Sequence, residues 1–143
     1  MAKARVLLVD DEEPFVATMQ KRMAKRDLAV EGAHSGRDAL AALDRGAFDV
    51  VILDVKMPGM DGIETLREIK ARHPLVEVIM LTGHATVQSA IDGMKLGAFD
   101  YLMKPSELEE ILAKVNEAVA KKSGHEQKIA EARAKNIVLR RGD

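Results

Sequence analysis

The sequence predicts an α/β protein, a doubly wound five-stranded parallel sheet in the order 2-1-3-4-5 with helices on both faces. Three observations predict it. Short, predominantly apolar runs at residues 6–9, 50–53 and 76–81 read as strands buried on both faces. Two more polar runs, at 28–33 and 99–102, fit the sheet edges. Each strand is followed by a segment with helical periodicity, and this fivefold alternation calls for parallel pairing through right-handed crossovers.

The 143 residues suffice for one domain with a single substantial core. Hydrophobic residues make up 47%, charged residues 31%, and the net charge is −1. With a pI near 6.4, bulk charge gives no reason to expect nucleic acid or an anionic membrane as a partner. There is no cysteine, which excludes disulfides, thiolate zinc sites and a cysteine nucleophile. The start, Met1 to Arg5, leads into four apolar residues and then acids, too short for a signal peptide or membrane span, so a cytoplasmic protein is expected.

Residues 6–9 form the first strand, ending on Asp10-Asp11-Glu12-Glu13. Pro14 suits the first turn of a helix, Phe15, Val16, Met19 and Met23 keep helical spacing behind it, and the acids favour the positive end of its dipole. The second strand, 28–33, carries Glu31 and is less completely buried. Ser35 with Asp38 has the capping-box form, Leu40 and Leu43 follow, and Gly46 closes this short helix. The third strand ends on Asp54. The loop 55–62 contains Pro58, Gly59 and Gly62, Asp61 caps a helix with Ile63, Leu66 and Ile69 inward, and Pro74 stops it. The fourth strand ends in Thr82-Gly83-His84. Val87, Ala90, Ile91 and Met94 trace one helical face, with Gly97 just past the end. The fifth strand ends at Lys104-Pro105. Ser106 and Glu109 have the spacing of another capping box, and Leu108, Ile111, Leu112, Val115, Ala118 and Val119 give the strongest amphipathic helix in the chain.

With the most apolar strands central, the order is the flavodoxin-like one, and ligands of such sheets bind at the carboxyl ends of the strands. Asp10, Asp11, Asp54, Thr82 and Lys104 therefore meet on one rim. Carboxylates placed together raise at least one pKa unless a cation is bound, and hard oxygen donors suit Mg²⁺ or Mn²⁺. A carboxylate beside such an ion is a nucleophile toward phosphorus, with Lys104 and the Thr82 hydroxyl available to neutralise charge.

Asp10-Asp11, Asp54 after its apolar strand, Met57-Pro58-Gly59-Met60-Asp61-Gly62, Thr82 and Lys104-Pro105 together resemble the receiver domain of two-component response regulators. The resemblance covers roughly residues 4 to 121. It implies phosphoryl transfer from a phosphohistidine of a sensor histidine kinase or phosphotransfer protein to Asp54. It also implies Mg²⁺ held by Asp11, Asp54 and the Lys56 carbonyl, with Asp10 acting through water, and Thr82 and Lys104 binding the phosphoryl oxygens. Tyr101 is then the aromatic that turns inward when Thr82 moves, and Gly83 leaves room for the phosphoryl group. Such a protein is a phosphoacceptor that catalyses only its own phosphorylation and dephosphorylation. Its signalling surface is the fourth helix, fifth strand and fifth helix. One departure is Ser106, where an aromatic is frequent; Lys56 and His84 stand at variable positions flanking the approach to Asp54.

Two other classes use related parts. A phosphatase of the haloacid dehalogenase type needs an acid two residues after its nucleophile, and Lys56 stands there. A flavin-binding module needs Gly, Ser and Thr after the first strand, where this chain is acidic. His34, His73 and His125 have no ligand spacing for zinc. Residues 1–122 are expected to form the receiver and residues 123–143 a helical tail that extends or follows the fifth helix, weakly packed on the receiver, with Ser123-Gly124 interrupting the strong helical pattern between them. A stand-alone receiver is preferred to an N-terminal fragment of a longer regulator. Ile129, Ala130, Ala134, Ile137 and Val138 make a narrow apolar stripe on the tail, so a homodimer through the tail or the signalling surface is a further expectation.

Overall fold

The computed structural model describes residues 3–57, 59–83 and 86–142, the stretch 136–142 as helix backbone only. Strands β1 (Ala4–Val9), β2 (Leu28–Ala33), β3 (Val50–Leu53), β4 (Glu77–Thr82) and β5 (Asp100–Met103) pair in parallel in the order β2-β1-β3-β4-β5. All residues of β3 and β4 and the run Val6–Val9 of β1 are buried, and the exposed positions fall in β2, in β5 and at Arg5 near the start of β1.

The register brings the carboxyl ends to one level. Val9 pairs with Leu53, Leu53 with Met80, and Thr82 with Met103. The ladder continues just beyond the strands: Asp10 N–H donates to Ala33 O at 3.0 Å, Asp54 N–H to Val9 O at 3.0 Å, and Lys104 N–H to Thr82 O at 2.9 Å. Those hydrogen bonds fix the backbone under three candidate site residues.

Helices α1 (Glu13–Ala24) and α5 (Leu108–Gly142) cover one face, packing Val16, Met19, Met23, Ile111, Leu112 and Val115 on Val6, Leu8, Ile52 and Ile79. Helices α2 (Gly36–Arg45) and α3 (Gly62–Arg72) cover the other through Ala39, Leu40, Leu43, Leu66 and Ile69. Each fully buried aliphatic side chain contributes about 1.5–3 kcal/mol, so both layers are well anchored. Ser35 Oγ accepts from Asp38 N–H at 3.1 Å and Asp61 Oδ1 from Glu64 N–H at 2.8 Å, capping α2 and α3 as the sequence indicated. Gly97, with φ +101°, turns the chain after α4 (Val87–Lys95).

One local reading changes. Ser106 does not cap α5: its hydroxyl donates to Met103 O, α5 starts two residues later, and Glu109 is engaged by Arg26. The capping residue and its partner are thus both committed elsewhere. The apolar residues of α4 lie outward, with Val87 80%, Ile91 42% and Met94 48% exposed, and Gly93 is the one buried residue of this helix. The expected helical tail extends the fifth helix: α5 continues through Ser123-Gly124 and spans 35 residues, roughly 50 Å. Glycine lowers helix propensity by only about 1 kcal/mol, which the helix absorbs. Lys121 and Lys122 pair with Glu77 (3.6 Å) and Asp49 (3.3 Å) at the amino-terminal edge of the sheet. Residues 125–135 are exposed, including Ile129, and the side chains of Ile137 and Val138 lie outside the described residues.

Two glycines make opposite demands. A Cβ on Gly62 would stand 2.1 Å from Asp54 O and 2.5 Å from Val55 Cα, because the loop folds back to let Gly62 N–H reach Val55 O. A Cβ on Gly124 meets nothing within 4 Å. Gly62→Ala should therefore cost about 2–4 kcal/mol in denaturant unfolding, whereas Gly124→Ala should raise helical content by circular dichroism without loss of stability.

Candidate functional site

The carboxyl ends of β1, β3 and β4 and the start of the β5–α5 loop bring Asp10, Asp54, Thr82 and Lys104 together. Asp10 and Asp54 are 1% and 2% exposed, and Thr82 is fully buried. A buried carboxylate needs compensation. For Asp10 it is complete: Oδ2 accepts from Lys104 Nζ at 2.5 Å and Oδ1 from Glu12 N–H at 2.9 Å. Lys104 is held in turn by the Phe15 ring, whose centroid lies 4.1 Å from Nζ, and more loosely by Glu12 Oε1 at 3.7 Å.

Asp54 is less well served. The Thr82 hydroxyl and the Lys56 backbone N–H donate to its carboxylate, but Oδ1 is buried with no hydrogen-bond partner. Burial raises its pKa above the ordinary aspartate value, and the Asp10 charge adds to the rise; Thr82, Lys104 and the Lys56 N–H oppose it without cancelling it.

Among the described residues, oxygens of Asp10, Glu12 and Asp54 lie within 4.8 Å of one another and form a group able to hold a metal ion. Three hard oxygen donors, one of them orphaned in a buried position, fit a divalent cation such as Mg²⁺. Asp11 is exposed and its carboxylate is outside this group; Glu12, passed over in the sequence, is in it. The acidic run was the available signal, but which acid turns inward depends on the backbone of the β1–α1 turn. Lys56 is exposed, and His84 lies outside the described residues. A Cβ on Gly83 would stand 4.0 Å from Lys104 Cβ, so the protein alone does not require glycine there.

Tyr101 is half-buried against the core, and its hydroxyl hydrogen-bonds Ser89 Oγ at 2.9 Å. Ser89 is also the partner of Thr86 in the capping box that starts α4. This link between β5 and α4 escaped the sequence reading, since Ser89 lies among apolar residues with no cue to a tyrosine twelve positions on. Among the described residues no helix is long and apolar enough to cross a membrane.

The family model for the response regulator receiver domain matches residues 6–116. The chain is similar to the DNA-binding transcriptional regulator NtrC of Salmonella typhimurium, 37% identical over 120 residues that cover 84% of this chain and 26% of that protein. It is similar to the transcriptional regulatory protein ZraR of Escherichia coli K12, 38% identical over 115 residues, 80% of this chain and 26% of that one. The chain thus spans about a quarter of the length of these curated relatives. A response regulator receiver domain from Clostridium thermocellum superposes with a TM-score of 0.80 at 36% identity, covering 84% of this chain and 97% of that one.

The unsatisfied position of Asp54 has a measurable consequence. Because its folded-state pKa is raised, the folded protein holds the Asp54 proton more tightly than the unfolded chain does. That contribution to stability is fully present below about pH 3.8 and is lost as pH rises through the raised native value. Asp54→Asn should therefore melt higher than the unmutated chain at pH 7 in a chelating buffer, and the difference should vanish as the pH approaches 3.8. Thermal melts of the two proteins across that range provide the check.

Proposed function

The chain belongs to the response regulator receiver domain family, and from that premise we propose that Asp54 accepts a phosphoryl group from a phosphohistidine of a sensor histidine kinase or phosphotransfer protein, in a Mg²⁺-dependent reaction. The observation that carries this reading is the buried, unpartnered Asp54 Oδ1 in a carboxylate cluster beside an ammonium group. Asp54 attacks phosphorus, the P–O bond of an acyl phosphate forms as the P–N bond breaks, and the histidine nitrogen leaves with the electron pair. The Thr82 hydroxyl and Lys104 are the groups placed to neutralise the transferred oxygens. Asp11, Asp54 and the Lys56 carbonyl would hold Mg²⁺, with Asp10 through water; the ion supplies charge neutralisation and a template for the incoming oxygens.

A groove of about 390 Å³ opens beside Lys104, with Phe15, Met19, Leu81, Pro105 and Ile111 among its lining, and gives a partner's histidine-bearing surface an apolar footing. The switch runs from Thr82 through Tyr101 to the surface of α4, β5 and α5. Output then passes to a protein partner, a second copy, or a further region of a longer regulator; the printed names of the relatives support transcriptional control for the last. We place the protein in the cytoplasm.

Acetyl phosphate with Mg²⁺ should add one phosphate by intact-mass measurement, and Asp54→Ala or a chelator should abolish it. Stoichiometric labelling of Asp54→Ala would refute the assignment. Thr82→Ala should still be labelled but show much smaller chemical-shift changes across α4, β5 and α5. Truncation after Lys122 should leave labelling intact and change the association state measured by light scattering.

A further inference from the structure

We propose that Glu12 is a direct ligand of the divalent cation, and that it exchanges between that cation and Lys104. The proposal rests on the cation-dependent receiver reading above and adds to it a residue outside the Asp11, Asp54 and Lys56 set. Glu12 occupies the N-cap position of α1, where a side chain ordinarily turns back to accept from the first free N–H groups of the helix. It makes no such bond. Its carboxylate instead extends toward the rim, 3.7 Å from Lys104 Nζ and within 4.8 Å of oxygens of both Asp10 and Asp54.

The other oxygens of the cluster make this position consequential. Both Asp10 oxygens are occupied, one by the Glu12 N–H and the other by Lys104. Asp54 Oδ1 is buried and unpartnered, and Asp11 is outside the group. Within this cluster, the oxygens free to meet a cation without first breaking a short hydrogen bond are therefore Asp54 Oδ1 and those of Glu12. Little packing opposes a shift of Glu12: its side chain is 63% exposed, and 3.7 Å is too long for a formed hydrogen bond. A cation bound by Asp54 and Glu12 withdraws one of the two anions holding Lys104 and lowers the field of the other. Lys104 then leaves Asp10 more readily for an incoming phosphoryl oxygen. In this arrangement one flexible acid links cation occupancy to release of the lysine.

The test is Mn²⁺ binding to the full chain, followed through the electron paramagnetic resonance signal of free Mn²⁺. Glu12→Gln should bind about tenfold more weakly than the unmutated chain, the scale of effect expected when a site loses one charged ligand. Glu13→Gln removes the same charge one residue away, outside the cluster, and should bind as the unmutated chain does. Glu12→Asp keeps the charge but shortens the reach, and should lose most of the affinity that Gln loses. Equal binding by Glu12→Gln and the unmutated chain would overturn the proposal. So would a weakened Gln variant alongside an Asp variant of full affinity, because the effect would then be one of field and not of coordination. Failure of the unmutated chain itself to bind Mn²⁺ would instead overturn the receiver reading on which the proposal rests.

Discussion

One ion pair, Lys104 with Asp10, sets the charge arrangement at the carboxyl rim of the sheet. Parallel pairing of β1, β3 and β4 requires both faces of these strands to be covered, so whatever follows them begins life desolvated. Two carboxylates there carry a cost of several kcal/mol each unless compensated. One lysine cannot compensate both, and it sits on Asp10 at 2.5 Å with the Phe15 ring against it. The unpaired remainder falls on Asp54. The charge imbalance at this rim is thus a product of the sheet's own topology, which sets the acids side by side at the ends of adjacent strands.

The features legible in the sequence were those written in short-range patterns. The apolar runs of β1, β3 and β4 gave the strand order because burial on both faces leaves no other composition. The positions of Asp54, Thr82 and Lys104 followed, since each ends a strand. Features set by contacts distant in sequence were illegible. Glu77 carries no local signal of its place in the fourth strand, yet it is 2% exposed and lies against Lys121, which reaches it from α5, 44 residues on. Glu109 carried a capping signature but is claimed by Arg26 at the end of α1. Glu12 and Asp11 cannot be told apart by residue type; the turn between β1 and α1 decides which faces the rim.

The continuation of α5 obeys a different physics from its first half. Up to Ala118 the helix is held by burial of Ile111, Leu112, Val115 and Ala118 against the sheet. Beyond it, side-chain pairs such as Lys122 with Glu126 and good helix-forming residues sustain it, each pair worth only tenths of a kcal/mol. Lys121 and Lys122, paired with acids at the base of the sheet, mark the point where one regime passes to the other.

Helix α4 is the element least indebted to the core. Its larger apolar side chains face solvent, its buried residue is a glycine, and its first turn is set by hydroxyl groups of Thr86, Ser89 and Tyr101. Moving it uncovers little apolar surface and exchanges a few polar contacts for others with water. A helix attached in this way gives up little burial when it shifts. Differential contacts worth about 3–5 kcal/mol are enough to invert the populations of any two such positions, a sum within reach of a few charge-assisted hydrogen bonds. A shift of this helix leaves the ladder of the sheet and both of its buried layers unchanged.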